Sequence, residues 1–207
     1  MIKPLTLSRF ALLSHSARAT GLALSIVLAS ALSACSQEAS EGAAPAEAVS
    51  QDKAFDLVAA KGHGFNAGAV MSAHKVYVFF DPQCPHCAHL WESAQTLMDK
   101  VHFVWMPVAF INGSSLPQGA ALLQSDNPVE AMKAHEASIL ARQGGMDASA
   151  SVPDEISSQI KANTALLNQL GAESVPFIVA RNAKTQAAVM HAGAMPPAEL
   201  AKTLGLD

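Results

Sequence analysis

The chain has 207 residues, half of them apolar, and a formal net charge of −4. That length suits one domain with extra segments, and the apolar share is enough for a sizeable core. Its 13 Lys and Arg residues form no cluster, which excludes a nucleic-acid surface of the usual electrostatic kind.

The first segment reads as an export signal. Residues 1–18 carry Lys3, Arg9 and Arg18 and no acid. The run ATGLALSIVLASALSA follows, too short and too rich in small residues for a membrane span. A basic start before a short apolar run is the pattern of a secretory signal. The run ends at Leu32, Ser33, Ala34 and Cys35, which resembles the lipobox of bacterial lipoproteins. The expectation is a signal over 1–34, cleavage before Cys35 and acylation of that cysteine. The alternative is an ordinary cut nearby that leaves Cys35 a free thiol. Ser36, rather than Asp, favours the outer membrane in enteric-type sorting. Residues 36–52 are small, acidic and non-periodic, so 35–52 reads as a flexible, lipid-anchored tether. Fully extended, it would span roughly 55–60 Å. The folded domain is expected over 53–207.

Elements follow in order. Phe55–Lys61 suits a short helix stopped by Gly62-His63-Gly64, and residues 65–70 a short edge strand. Val76–Phe80 is a run of β-branched and aromatic residues, as in a buried central strand. Apolar positions then recur at Cys87, Leu90, Ala94, Leu97, Met98 and Val101, the face of a helix. The next strand is expected over 101–108, and strand, helix, strand in that order implies a parallel crossover. Helices are expected over Pro117–Ser125 and Pro128–Gln143, the second with Asn127 as N-cap and Gly144-Gly145 as stop. Ser151 to Asp154 fits a capping box for a third helix reaching Leu170, with Ile156, Ile160, Leu167 and Leu170 on its apolar face. Strands over 175–180 and 187–193 turn near Asn182, and Pro197–Leu206 closes the chain as a helix. The fold class is α/β, with a helical insertion over about 114–171.

Cys84 and Cys87 carry the chemistry. With Cys35 assigned to lipid, they are the remaining cysteines. A bridge across two residues closes too small a loop to stabilise much, so structure alone explains the pair poorly. Pro85 favours the first helical position, which puts Cys84 at the N-cap. Free backbone N–H groups and the positive helix end then face its sulfur and stabilise a thiolate. Cys87 turns inward beneath it as the resolving thiol. His86 can add positive charge or a donor. A stabilised thiolate stabilises the reduced form, so the disulfide becomes a stronger oxidant. Zinc lacks a second cysteine pair. Haem attachment needs His after the second cysteine, where Ala88 stands. Copper held by Cys84, Cys87 and a His stays open as a second reading. The pattern calls for no organic cofactor and no metal; the working group is the Cys84–Cys87 disulfide itself.

The segment FFDPQCPHCAHLW resembles the active-site segment of the thioredoxin-fold periplasmic Dsb proteins. Asp81-Pro82 before the first cysteine is most similar to the DsbC/DsbG branch, and to DsbG-type proteins in particular. NTALLNQLGAESVPFIV and HAGAMPPAELAKTLG extend the resemblance over about 75–206. It implies a thioredoxin-like fold, a thiol–disulfide oxidoreductase, and a cis Pro176 facing the dithiol. Val175 and Pro176 would then hold a client strand, and Gly193 and Met195 would form a loop near the dithiol.

Three departures set the expectations apart from an isomerase. Pro85-His86 between the cysteines resembles the DsbA oxidases, as does Val175 before the proline. The residues ahead of the domain are too few for the isomerases' dimerisation domain, so a monomer is expected. Thioredoxins also place a buried acid six residues before the first cysteine, where Val78 stands here. Asp81 reads as a cap of the loop before the helix, or as a proton carrier for Cys87. Trp91 reads as core, with substrate contact as the alternative, and His89 as exposed. His63, His74, His102, His135 and His191 show no ligand spacing. The expected protein is a lipid-anchored periplasmic oxidoreductase that oxidises client cysteines, with reduction or isomerisation as the alternative. Its expected partners are client proteins and a membrane redox protein.

Overall fold

The computed structural model describes residues 49–207. The signal over 1–34, Cys35 and the tether up to residue 48 lie outside the described residues. The first element, α1 (Gln51–Lys61), begins inside the expected tether. Gln51 and Asp52 are already helical, and the buried Ala54 and Val58 give that turn a face to bury. The folded domain therefore begins two residues earlier than the expected boundary at 53.

Five strands form one mixed sheet in the order β1-β3-β2-β4-β5. They are β1 (Phe65–Gly68), β2 (Lys75–Phe80), β3 (His102–Pro107), β4 (Phe177–Arg181) and β5 (Ala188–Ala192). The apolar run of β2 takes the centre, parallel to β3 and antiparallel to β4. Val78 lies between Trp105 of β3 and Ile178 of β4. Both faces of β2 are covered, which is why the run reads as continuous rather than alternating. β1 caps one edge against β3 and β5 the other against β4, both antiparallel.

Side chains alternate along β2 and separate the two layers. Tyr77 meets Phe55 of α1 edge-on, with ring centroids 5.3 Å apart. Phe80 points the other way and meets Trp105 at 5.7 Å. Trp105 in turn meets Trp91 of α2 (Pro85–Gln95) at 5.0 Å and 72°. Such edge-to-face pairs contribute about 0.5–1.5 kcal/mol each beyond the area they bury. They pin α2 to the sheet one turn beyond Cys87. Trp91 is thus core, as its spacing implied. Among the described residues, no helix is long and apolar enough to cross a membrane.

Three helices lie between β3 and β4: α3 (Ser115–Leu123), α4 (Pro128–Leu140) and α5 (Asp154–Gln169). Asn127 caps α4 as its sequence implied, accepting from the Glu130 N–H. The helix stops three residues earlier than expected. Arg142 enters the left-handed region at φ 58°, and the chain leaves the helix there rather than at the glycines. The capping box at Ser151 does not form. Pro153 occupies the N-cap position of α5 and has no side-chain acceptor to offer, so Ser151 stands outside the helix. Ile156 is only half-buried, and the inward face instead includes Ser157 and Asn163. Asn163 is fully buried and satisfied: it accepts from the His63 N–H and donates to the carbonyls of His63 and Pro107. It ties the loop after α1 to the end of β3. α6 (Pro197–Leu204) ends at Leu204, two residues short of the expected Leu206, with left-handed Gly205 as its C-cap.

His135 of α4 ties the insert to the loop between β2 and α2. Its Nδ1 accepts from the Met146 N–H at 3.1 Å, so Nε2 carries the proton and donates to the Pro82 carbonyl at 2.7 Å. The ring is buried and neutral. Gly145 lies against it: at φ +87°, any Cβ there would fall 2.4 Å from His135 Cε1. Burial holds the His135 pKa below its ordinary value. A second proton would also break the Met146 bond. Below about pH 6.5 the unfolded chain takes up a proton that the folded chain resists. The stability from neutral His135 is therefore complete above about pH 6.5 and lost as pH falls below it. The urea midpoint is expected to drop between about pH 7 and pH 5, with a shallower drop in His135→Gln. Equal slopes in the two proteins would contradict this.

Candidate active site

The site is built at the junction of β2 and α2. Cys84 is the N-cap of α2 with extended backbone (φ −96°, ψ 111°), and Pro85 opens the helix. Proline's fixed φ and missing N–H suit that first position. Cys84 accepts the first helical bonds through its carbonyl, from Cys87 N–H at 3.0 Å and Ala88 N–H at 3.3 Å. Its sulfur is left facing the open N–H groups of the first turn. Cys84 is 5 % exposed and Cys87 fully buried, and the two thiols are unbridged.

The pair is electrostatically divided. The Cys84 pKa is lowered to about 6, first by a hydrogen bond from the Cys87 thiol. Burial opposes the shift, while the backbone N–H groups of Cys87 and His86 and the His86 charge assist it. Cys87 moves the other way, well above its ordinary value, chiefly because it is buried and already donates to Cys84. One thiol is thus biased toward the thiolate, and the other is its proton-bearing partner. His86 is exposed, and its charge is the smallest of these influences on Cys84.

A second segment closes over the sulfur. The Val175–Pro176 bond is cis, and the Val175 carbonyl lies 3.5 Å from Cys84 Sγ. Both residues are buried, and Gly193 N–H donates to the Pro176 carbonyl at 2.8 Å. That bond sets the loop after β5 beside the cis-proline, as the resemblance implied for Gly193. Met195 is buried one step further on. With His89 and Glu92 of α2 it lines a cleft of about 440 Å³.

The loop before Cys84 is fastened from three sides. Asp81 is fully buried and works as a cap: Oδ1 accepts from Gln83 N–H, and Oδ2 from Phe110 and Ile111 N–H. Its carbonyl receives the Cys84 N–H at 2.9 Å. Gln83 bonds Gln118, the Gly144 carbonyl and Asn112. His135 holds Pro82. His89 is exposed and touches only Glu92, at 3.4 Å. Among the described residues, no three His, Cys, Asp or Glu side chains converge as a metal site would require.

The structure draws attention to two residues that the sequence pattern did not mark as functional: Glu136, and His135, which shows no ligand spacing. With Met132 and Ile139 they form the buried face of α4, at spacings of three, one and three. A His-Glu pair interrupting an apolar stripe was the available signal. Glu136 is 1 % exposed, and neither of its carboxyl oxygens has a hydrogen-bond partner.

Sheet order, a dithiol at the N-terminus of the helix after the central strand, and a facing cis-proline together define a thioredoxin-fold protein. The chain belongs to the thioredoxin-like domain family, whose pattern it matches over residues 70–206. It is 33 % identical over 132 residues to the thiol:disulfide interchange protein DsbG of Pseudomonas aeruginosa, covering 63 % of this chain and 50 % of that protein. It is 34 % identical over 108 residues to DsbG of Escherichia coli K12, covering 50 % of this chain and 42 % of that protein. The chain spans about half the length of the curated relatives it matches. Among solved structures, the catalytic domain of Proteus mirabilis ScsC superposes with a TM-score of 0.60 at 16 % identity, covering 74 % of this chain and 96 % of that one.

The thiolate absorbance of the reduced protein is expected to titrate with a midpoint near 6. Hydrogen bonds to charged groups contribute about 1.5–3 kcal/mol, so Cys87→Ala should raise that midpoint by about one pH unit or more. His86→Ala should raise it less. A wild-type midpoint near the ordinary thiol value would contradict the assignment.

Proposed function

We propose that the protein exchanges disulfides with client proteins through Cys84 and Cys87, and that it works mainly as an oxidant. The observation that carries this reading is the Cys84 sulfur held between the first turn of α2 and the Val175 carbonyl, with Cys87 sealed beneath. A client thiolate attacks Cys84 Sγ of the Cys84–Cys87 disulfide. The client–Cys84 bond forms, and Cys87 leaves as thiolate and takes a proton. A second client thiolate then attacks the client sulfur of that bond. Cys84 leaves, stabilised as a thiolate. The client gains a disulfide and the protein keeps both electrons as a dithiol.

Direction rests on the leaving group. A thiol with a pKa of about 6 leaves more readily than an ordinary one, which favours the disulfide as oxidant. Pro85-His86 and Val175 support the same direction. Val175 and Pro176 supply the rim on which an extended client segment rests. A membrane redox protein would re-oxidise the dithiol. In this reading the protein acts in the periplasm as a monomer, tethered through an acylated Cys35, with the outer membrane favoured. Similarity to DsbG favours a second direction, reduction or isomerisation of client disulfides on the same two cysteines.

The redox state in living cells separates the two directions. Cells are quenched in acid and free thiols tagged with a mass label. The oxidant reading expects Cys84 and Cys87 mostly as disulfide, and Cys87→Ala to accumulate client adducts on Cys84. A mostly reduced pair would replace it with the reductase reading.

A further inference from the structure

Glu136 is buried, and its carboxyl oxygens are unpartnered. It lies on α4, which packs directly against α2. Its neighbour His135 is bonded to Pro82, two residues before Cys84, which fixes the register of α4 on the site. Trp91 lies one turn beyond Cys87 on the buried side of α2. Glu136 and Trp91 line the same cavity, of about 160 Å³, between the two helices. Trp91 Nε1 likewise has no partner. The cavity's rim is formed by Glu92 and Lys133, both exposed, so it leads from the buried carboxyl to solvent.

A buried carboxyl without a donor is costly, and such groups need a reason. We propose that Glu136 is the proton-relay residue of the dithiol, carrying the Cys87 proton to and from the cavity between α2 and α4. The position that holds a buried acid in thioredoxins is occupied here by Val78; the inserted helix α4 supplies a buried acid instead. The inference rests on the exchange reaction proposed above.

The charges facing Glu136 make it responsive to the reaction. From the loop these are Asp81 and Cys84, from α2 Cys87 and Glu92, and on α4 itself His135, which is neutral, and Lys133 at the rim. α3 and β1, which also touch α4, carry no titratable side chain. Burial raises the Glu136 pKa well above its ordinary value, and the negative charges of Cys84 and Asp81 raise it further. In the dithiol state the Cys84 thiolate therefore keeps Glu136 protonated. When Cys84 becomes part of a mixed disulfide, that charge disappears, and Glu136 becomes able to ionise when Cys87 must lose a proton.

The step balances. Glu136 carboxylate takes the proton from Cys87 through bridging water, since the two side chains make no direct hydrogen bond. Cys87 Sγ attacks Cys84 Sγ, the Cys84–Cys87 bond forms, and the client–Cys84 bond breaks. The client sulfur leaves with the electron pair as thiolate. In this step the Cys87 sulfur passes from thiolate to disulfide and the client sulfur from disulfide to thiolate; over the two exchange steps the protein dithiol gives two electrons to the client disulfide. In the oxidising direction the same atoms run backwards, and Glu136 returns the proton to the departing Cys87.

Rapid mixing of the reduced protein with dithiobis-nitrobenzoate tests this. The first coloured thiolate reports attack by Cys84 and scales with reagent concentration. The second, independent of reagent, reports attack by Cys87 on Cys84. In Glu136→Gln the first phase should persist, while the second should slow by about 100-fold near neutral pH. It should climb steeply with pH until it meets the wild-type curve, where Cys87 ionises unaided. Glu136→Asp should restore part of the rate. Superimposed pH profiles, or a loss equal at every pH, would overturn the relay. Absence of any second phase in the wild type would overturn the exchange reaction and the relay with it. An infrared measurement needs no variant at Glu136. The protonated-carboxyl band of the reduced Cys87→Ser protein should weaken when Cys84 is capped as a methyl disulfide, and an unchanged band would also overturn the proposal.

Discussion

Holding a negative charge on Cys84, at a position nearly closed to water, is the constraint on which this structure depends. A thiolate there would be expelled or protonated without compensation. Compensation comes from groups that α2 orients: the Cys87 thiol, the N–H groups of its first turn and the His86 charge. The first of these is the strongest, so the two cysteines are one electrostatic unit rather than two independent sites. Stabilising one thiolate costs the other thiol its acidity, and that asymmetry supports the proposed roles of nucleophile for Cys84 and resolving partner for Cys87.

The orientation of α2 is itself enforced from below and from the side. Trp91 on Trp105 holds the helix to the sheet. Asp81 folds the preceding loop around its own carboxylate, accepting three backbone N–H groups. The inserted helices add Gln118 and His135, which reach Gln83 and Pro82. The insert is thus more than a cover. It fixes the residues immediately before Cys84 and buries one more acid, Glu136, where α4 packs on α2.

Local features were well legible in the sequence. The Val76–Phe80 run needs two covered faces, and only the centre of the sheet supplies them. Cys84 followed by Pro85 is an N-cap with its helix start, and the sulfur's surroundings follow from helix geometry alone. The misreadings came where local patterns compete or partners are distant. Ser151 fits a capping box, but Pro153 takes the cap position first. The glycines at 144 and 145 look like a helix stop, but the helix ends at Leu140, before left-handed Arg142. His135 looked like one scattered histidine, because Pro82 lies 53 residues away and nothing local marks the pair. Glu136 went unread because its meaning depends on the packing of α4 against α2. Cys35 and its export signal rest on sequence pattern, beyond the described residues.

The central claim, that the site stabilises the dithiol's thiolate and so makes the disulfide oxidising, is tested most directly by the reduction potential of the Cys84–Cys87 couple. It can be measured by equilibration in glutathione redox buffers, with the two forms separated after acid quench. Preferential stabilisation of the Cys84 thiolate should give a value well above that of thioredoxin, between about −180 and −120 mV, the range of strongly oxidising exchange proteins. A value at or below about −270 mV would mean that the thiolate is not preferentially stabilised, and would contradict the account.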